Sequence, residues 1–299
     1  MSTAANVNVV ELVDQPGASS SHAQFASVSK SLPQFFGLTE NPFLDNVNPD
    51  YFFRTEAHED AYLKMKKCIE DNISMGLITA QSGTGKTLLT QILLHEMDQQ
   101  HYSPTLVLCY PRISRSALLK ELAAELEIEG LPRKATLHRL INAVQEKIFK
   151  LESENKKPVI IIDEAHFLGG DTLHLIRTLS NIETSRKKLV SILLFGEDSF
   201  LKKLDKPKYK AILSRMFIRA HLRPLVHGEV EQYVKFRCLM AGGGNHLFQG
   251  NVFKRIHQVT GGVPREINRL CHNALQLAFQ KQISGIDLSI VDTVINAGY

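Results

Sequence analysis

Short apolar runs alternate with amphipathic stretches through the middle of the chain, and near Leu225 the short runs stop. Leu77–Ala80, Pro104–Cys109, Pro158–Ile162 and Leu189–Phe195 have the length and β-branched content of strands. Between them, Leu88–Gln99, Arg115–Leu126, Thr136–Glu152 and Asp171–Asn181 repeat their apolar positions with a helical period. A further helix is expected over Glu56–Asp71, with Ala57, Ala61, Leu63, Met65 and Cys68 on its apolar side. This alternation predicts an α/β fold, a parallel sheet flanked by helices on both faces. Val159–Ile162 is apolar at every position, as a central strand covered on both faces requires. Beyond Leu225 the pattern becomes helical only: Glu229–Met240, Asn251–Val259, Pro264–Gln282 and Asp287–Asn296, with Gly242 to Gly244 and Gly261-Gly262 as stops. The expected organisation is a flexible tail over 1–31, an α/β unit over 32–224 and a small all-helical unit over 225–299.

The first strand runs into Ala80-Gln81-Ser82-Gly83-Thr84-Gly85-Lys86-Thr87, and a helix follows. This fits the phosphate-binding loop G-x-x-x-x-G-K-S/T at every position but the first, where alanine replaces glycine. Loop N–H groups from Gln81 to Thr87, with Leu88 in the first helical turn, would surround phosphates at a helix N-terminus. Lys86 would reach the β/γ-phosphates and the Thr87 hydroxyl would hold Mg²⁺. Alanine at position 80 is tolerable if the residue keeps β geometry, because only positive φ demands glycine.

Two strands further on, with one strand between, Val159-Ile160-Ile161-Ile162 ends in Asp163-Glu164. Asp163 is expected to hold Mg²⁺, and Glu164 to polarise the attacking water. Both motifs together point to a nucleoside triphosphate site. The chain contains no guanine-reading Asn-Lys-x-Asp string, so the expected cofactors are ATP and Mg²⁺.

Composition narrows the setting. No apolar run reaches the roughly 18 residues of a membrane-spanning helix. Met1–Ser31 is rich in Ser, Ala and Asn and lacks the basic-then-apolar order of a signal peptide. Cys68, Cys109, Cys238 and Cys271 are scattered without metal-ligand spacing, which suits reduced buried thiols and a cytoplasmic location. A net charge of +4 permits an anionic partner without requiring one.

Several further strings, in order, resemble the ExeA/GspA family of AAA+ ATPases. They are Phe36-Gly37-Leu38-Thr39-Glu40-Asn41-Pro42-Phe43, Asn48-Pro49-Asp50-Tyr51-Phe52-Phe53, Asp163-Glu164-Ala165-His166, Leu179-Ser180-Asn181-Ile182-Glu183-Thr184 and Gly261-Gly262-Val263-Pro264-Arg265-Glu266-Ile267-Asn268. The resemblance implies that Pro42 and Phe43 flank the adenine, and that the helical unit is a lid carrying Arg265 to the γ-phosphate. Leu213 to Ala220 resembles the segment bearing a trans-acting arginine finger, with Arg215 the first choice and Arg219 the second. Two positions depart from the family pattern: Ala80, and Glu197 after Gly196, where the family tends to have Gln. A carboxylate there would be repelled by phosphate.

Basic clusters at Arg186-Lys187-Lys188 and over Lys202–Lys210 are expected in loops, where they would line a ring's pore or form a solvated face. Three functions follow: an oligomeric ATPase serving envelope or secretion assembly, a DNA-binding regulator that recruits a transposase (the role of TnsC, TniB and IstB), or an ATP-binding switch without turnover. The family's envelope members carry a membrane helix after the ATPase, and this sequence ends at Tyr299 without one. That difference makes the transposition role nearly equal to the secretion role that the resemblance implies.

Overall fold

The computed structural model describes residues 31–46, 48–244 and 246–299; all but Ser31 of the expected N-terminal tail lies outside them. Five parallel strands form one sheet: β1 (Met75–Ala80), β2 (Tyr102–Leu108), β3 (Lys157–Asp163), β4 (Ser191–Glu197) and β5 (Met216–Leu222), in the order β2-β3-β4-β1-β5. Helices precede and link them: α1 (Leu32–Phe35), α2 (Glu56–Glu70), α3 (Lys86–Glu96), α4 (Arg115–Glu125), α5 (Leu137–Ser153), α6 (Gly170–Leu179), α7 (Asp198–Leu204) and α8 (Lys210–Leu213). After β5 the chain is helical: α9 (His227–Met240), α10 (Val252–Thr260), α11 (Pro264–Gln280) and α12 (Leu288–Asn296). Thr55, Ser114, Thr136 and Asp287 cap α2, α4, α5 and α12 by accepting a first-turn N–H.

The continuous apolar run in β3 serves two cores. Ile160 and Ile162 face a cluster with Val144 and Ile148 of α5, while Val159 and Ile161 face Met65 of α2 and Leu89 of α3. A third core fills the C-terminal helices, and Leu38 and Phe43 from the N-terminal segment pack into it.

The sheet contains one strand more than the apolar runs predict. β5 is an edge strand: Met216, Ala220 and Leu222 are buried, while Phe217 and His221 point outward. Its register against β1 skips Phe217 in a bulge, leaving that ring 82% exposed. Lys202–Lys210 is also not a loop. Phe200, Leu204, Tyr209 and Ile212 are buried at helical spacing, and the lysines between them mask α7, a 3₁₀ turn and α8. Lys203 is partly buried, with its pKa lowered by that burial, and donates to the carbonyls of His166 and Leu168. In the other basic cluster, Lys187 pairs with Glu152 at 3.0 Å and Lys188 with Glu183.

Candidate nucleotide site

The strand order brings the two predicted motifs to one edge. β1 delivers the phosphate loop, β3 delivers Asp163, and β4 between them delivers Glu197, all at the carboxyl ends of the strands, where open α/β sheets bind ligands. Ala80 is the last residue of β1, paired with Glu197 and Leu222, fully buried and outside the positive-φ set. Its methyl group packs into the core on the α2–α3 side, so alanine meets no strain at the position where the motif has glycine.

Glycine is required later in the loop. Gly83 has φ +80°, and a Cβ there would stand 2.9 Å from Arg265 Cβ. Gly85 has φ +103° and caps α3, with room for a Cβ only 3.2 Å from the His58 ring. Positive φ at both glycines gives the sharp turn into α3 that phosphate-binding loops use. Thr84 is buried and its hydroxyl donates to the Gln81 carbonyl at 2.7 Å, closing the turn. Lys86 is 6% exposed, with Nζ 3.4 and 3.5 Å from the carbonyls of Ala80 and Gln81, a weakly held ammonium aimed across the loop.

The Thr87 hydroxyl donates to Asp163 Oδ2 at 3.1 Å, and the other Asp163 oxygen accepts the Glu164 N–H at 2.8 Å. A hydroxyl and a buried carboxylate in contact at the end of a phosphate loop form the hard oxygen set that Mg²⁺ takes beside a nucleotide. Glu164 itself sits at φ 54°, ψ 35°, a left-handed conformation that costs a non-glycine residue about 1–3 kcal/mol and is concentrated at functional sites. The turn aims its half-exposed carboxylate toward the loop's cavity, which it helps to line.

Arg265 opens α11 and rests on the loop. Its N–H donates to the Gly83 carbonyl at 3.2 Å and its guanidinium to Ser82 Oγ at 3.3 Å. The cavity bounded by Ser82, Gly83, Lys86, Thr87, Glu164 and Arg265 is therefore small, about 130 Å³. Ligand pockets usually measure about 300–1,000 Å³, so this cleft is narrow with Arg265 resting on the loop. Larger hollows lie on the surface, among them one of about 870 Å³ between α5 and the loop that follows α4, which holds neither the phosphate loop nor the Asp163-Glu164 pair.

Other expected site residues stand apart. Phe43 is 2% exposed and edge-on to Phe248 in the helical core, and Pro42 is buried with its carbonyl bonded to Arg237. Neither lines the cavity, although Asp45 and Asn46 of the same segment do. Arg215 donates to Asn181 Oδ1 just before β5, level with Met75 and a strand's length from the phosphate loop of its own chain. Arg219 spends its donors on the carbonyls of Leu213 and Met216.

Two residues without a local sequence signal belong to the site. His58, on α2, is 4% exposed and lies behind the loop. Its Nε2–H donates to the Thr84 carbonyl at 3.1 Å, so Nδ1 accepts from the Thr55 hydroxyl at 2.7 Å. Burial lowers its pKa, with smaller opposing effects from the Thr84 bond and Glu229, and it stands neutral. Arg237, on α9, is 5% exposed and lines the cavity. It bonds the Pro42 carbonyl and Tyr233, stacks 4.7 Å over Tyr51, and has no ion-pair partner among the described residues.

Comparison with known proteins agrees with this geometry. Residues 69–204 match the family described as AAA domain. General secretion pathway protein A of Aeromonas hydrophila is 31% identical over 248 residues, which cover 83% of this chain but 45% of that protein, so the chain spans about half the relative's length. Among solved structures, Cdc6p of Pyrobaculum aerophilum superposes with a TM-score of 0.69 at 15% identity, over 87% of this chain and 71% of that one. The ORC2 protein of Aeropyrum pernix, in its ADPNP–ADP complexes, gives 0.65 at 14% identity over 86% and 71%. These two likenesses speak for the fold. By motif, fold and relative, the chain is a member of the AAA+ ATPase family, related to general secretion pathway protein A.

Proposed function

We propose that this protein binds and hydrolyses Mg-ATP and, as an oligomer, uses that cycle to drive or switch the assembly of a macromolecular complex. The observation that carries this reading is the convergence of Lys86, the Thr87–Asp163 contact and Glu164 on one cavity that Arg265 closes from the lid. The loop amides from Ser82 to Thr87 would bind phosphate oxygens, and Lys86 would pair with the terminal phosphates. Thr87 and Asp163 would hold Mg²⁺, which when bound neutralises phosphate charge and polarises the transferred group. Glu164 would orient and polarise the attacking water, and Arg265 would exchange its Ser82 bond for a phosphate oxygen. Arg215, out of reach of its own loop, would act on a neighbour's nucleotide as an arginine finger. The related secretion protein makes an envelope or secretion assembly the first candidate for the machine served. Turnover that rises with protein concentration, and falls in Arg215→Ala while nucleotide affinity persists, is the expected result. Concentration-independent turnover would remove the oligomeric part of the reading, and tight binding without turnover would leave only a switch.

DNA binding, with a transposase as the recruited partner, is the second reading, and a basic hollow favours it. Arg112, Arg115 and Lys208 line one opening of about 770 Å³ with the N-termini of α4 and α6. Among the described residues no carboxylate lies within ion-pair distance of these three cations, although Asp171 shares the hollow. Phosphate-backbone binding there would weaken steeply with salt and with charge removal at these positions. Absence of DNA co-sedimentation at low salt with a non-hydrolysable ATP analogue would exclude it.

A further inference from the structure

Glu197 stands where a negative charge needs a reason. It ends β4, paired with Ala80 at the root of the phosphate loop and beside the strand that ends in Asp163. Phosphate oxygens bound in that loop would face its carboxylate. Beside it stands His166, whose Nε2 lies 4.0 Å from Glu197 Oε2 while its Nδ1 lies 3.2 Å from Glu164 Oε2. The imidazole is 13% exposed, and it is firmly held: its ring lies tilted against Phe167, centroids 4.1 Å apart, and its backbone carbonyl accepts from Lys203. Nδ1 is buried and lacks an aligned hydrogen-bond partner, so the ring sits between two carboxylates without being fully committed to either.

We propose that His166 is a positioning residue which lies between Glu164 and Glu197, setting the direction of Glu164 and giving Glu197 a polar partner so that a carboxylate can stand beside bound phosphates. The proposal rests on the reading of Glu164 as the group that polarises water. The histidine is needed because Glu197 is charged, so the two residues are energetically coupled. A histidine serving only to fill space beside Phe167 would matter equally whichever residue occupied position 197.

A double-mutant cycle separates these cases. ATP turnover and KM are measured for wild type, His166→Asn, Glu197→Gln and the double variant. Glu164→Gln serves as a control, His166→Gln as a second histidine variant, and thermal melts report folding. His166→Asn is expected to lower kcat about tenfold with KM nearly unchanged, and Glu197→Gln to keep most activity. In the Glu197→Gln background the same histidine substitution is expected to cost about threefold or less, a coupling typical of touching residues. Equal histidine penalties in both backgrounds, a penalty confined to KM, or inactivity of Glu197→Gln alone would each overturn the proposal. Wild-type turnover in Glu164→Gln, or none in the wild type, would instead overturn the underlying reading, and the two failures are distinct.

Discussion

Replacing His58 tests whether the phosphate loop is held from behind by a neutral, buried imidazole. The ring is 4% exposed and supplies the hydrogen bond to the Thr84 carbonyl. Alanine would leave that carbonyl and the Thr55 hydroxyl without their partner in a buried site, a loss of about 1–3 kcal/mol, and would add a ring-sized cavity. Glutamine can place an N–H near the position of Nε2 and should recover much of the loss. The two substitutions also differ from wild type in pH dependence. Burial depresses the folded-state pKa of His58 below its ordinary 6.5. The unfolded chain therefore binds the proton first, and the stabilisation, complete above 6.5, is lost as pH falls below it. For one proton the slope reaches at most about 1.4 kcal/mol per pH unit. Urea denaturation from pH 7.5 to 5.5 should show wild type losing stability more steeply than His58→Gln. Parallel curves for the two proteins would refute the assignment of a neutral buried histidine.

Three further outcomes follow from the site. Lys86→Ala should weaken ATP binding by about 10- to 100-fold, the worth of a charge-assisted hydrogen bond, while the melting temperature changes little; calorimetric titration measures it. Gly83→Ala puts a methyl group 2.9 Å from Arg265 Cβ at φ +80°, which should cost about 1–2 kcal/mol and displace the lid, read as greater protease sensitivity near residue 265. Arg237→Met removes a buried, unpaired cation from the cavity wall and frees the Pro42 carbonyl; ATP affinity should fall about tenfold, with only a modest loss of stability because burying that charge is itself costly.

Four of the five strands and most of the helices were legible because their cores are apolar on local periods. β5 was not, since an edge strand alternates and its outward Arg219 and His221 break the apolar run. α7 was hidden by its lysines, although Phe200 and Leu204 keep the helical spacing. The phosphate loop, Asp163 and Glu164 could be read because their chemistry is contiguous in sequence. His58 and Arg237 act across the fold, the first from 26 positions before Thr84 and the second from 195 after Pro42, and no local pattern marks a helix residue that will face a distant loop. Phe43 illustrates the opposite case: its motif was visible, but its ring is spent on the helical core.

The most direct measurement is steady-state ATP hydrolysis by wild type and Glu164→Gln, each with its nucleotide affinity determined in parallel. Wild type is expected to turn over Mg-ATP, while the variant binds it with similar affinity and loses at least about a hundredfold in rate, the lower end for a positioned base. Equal rates in the two proteins would contradict the assignment of Glu164 and the account built on it.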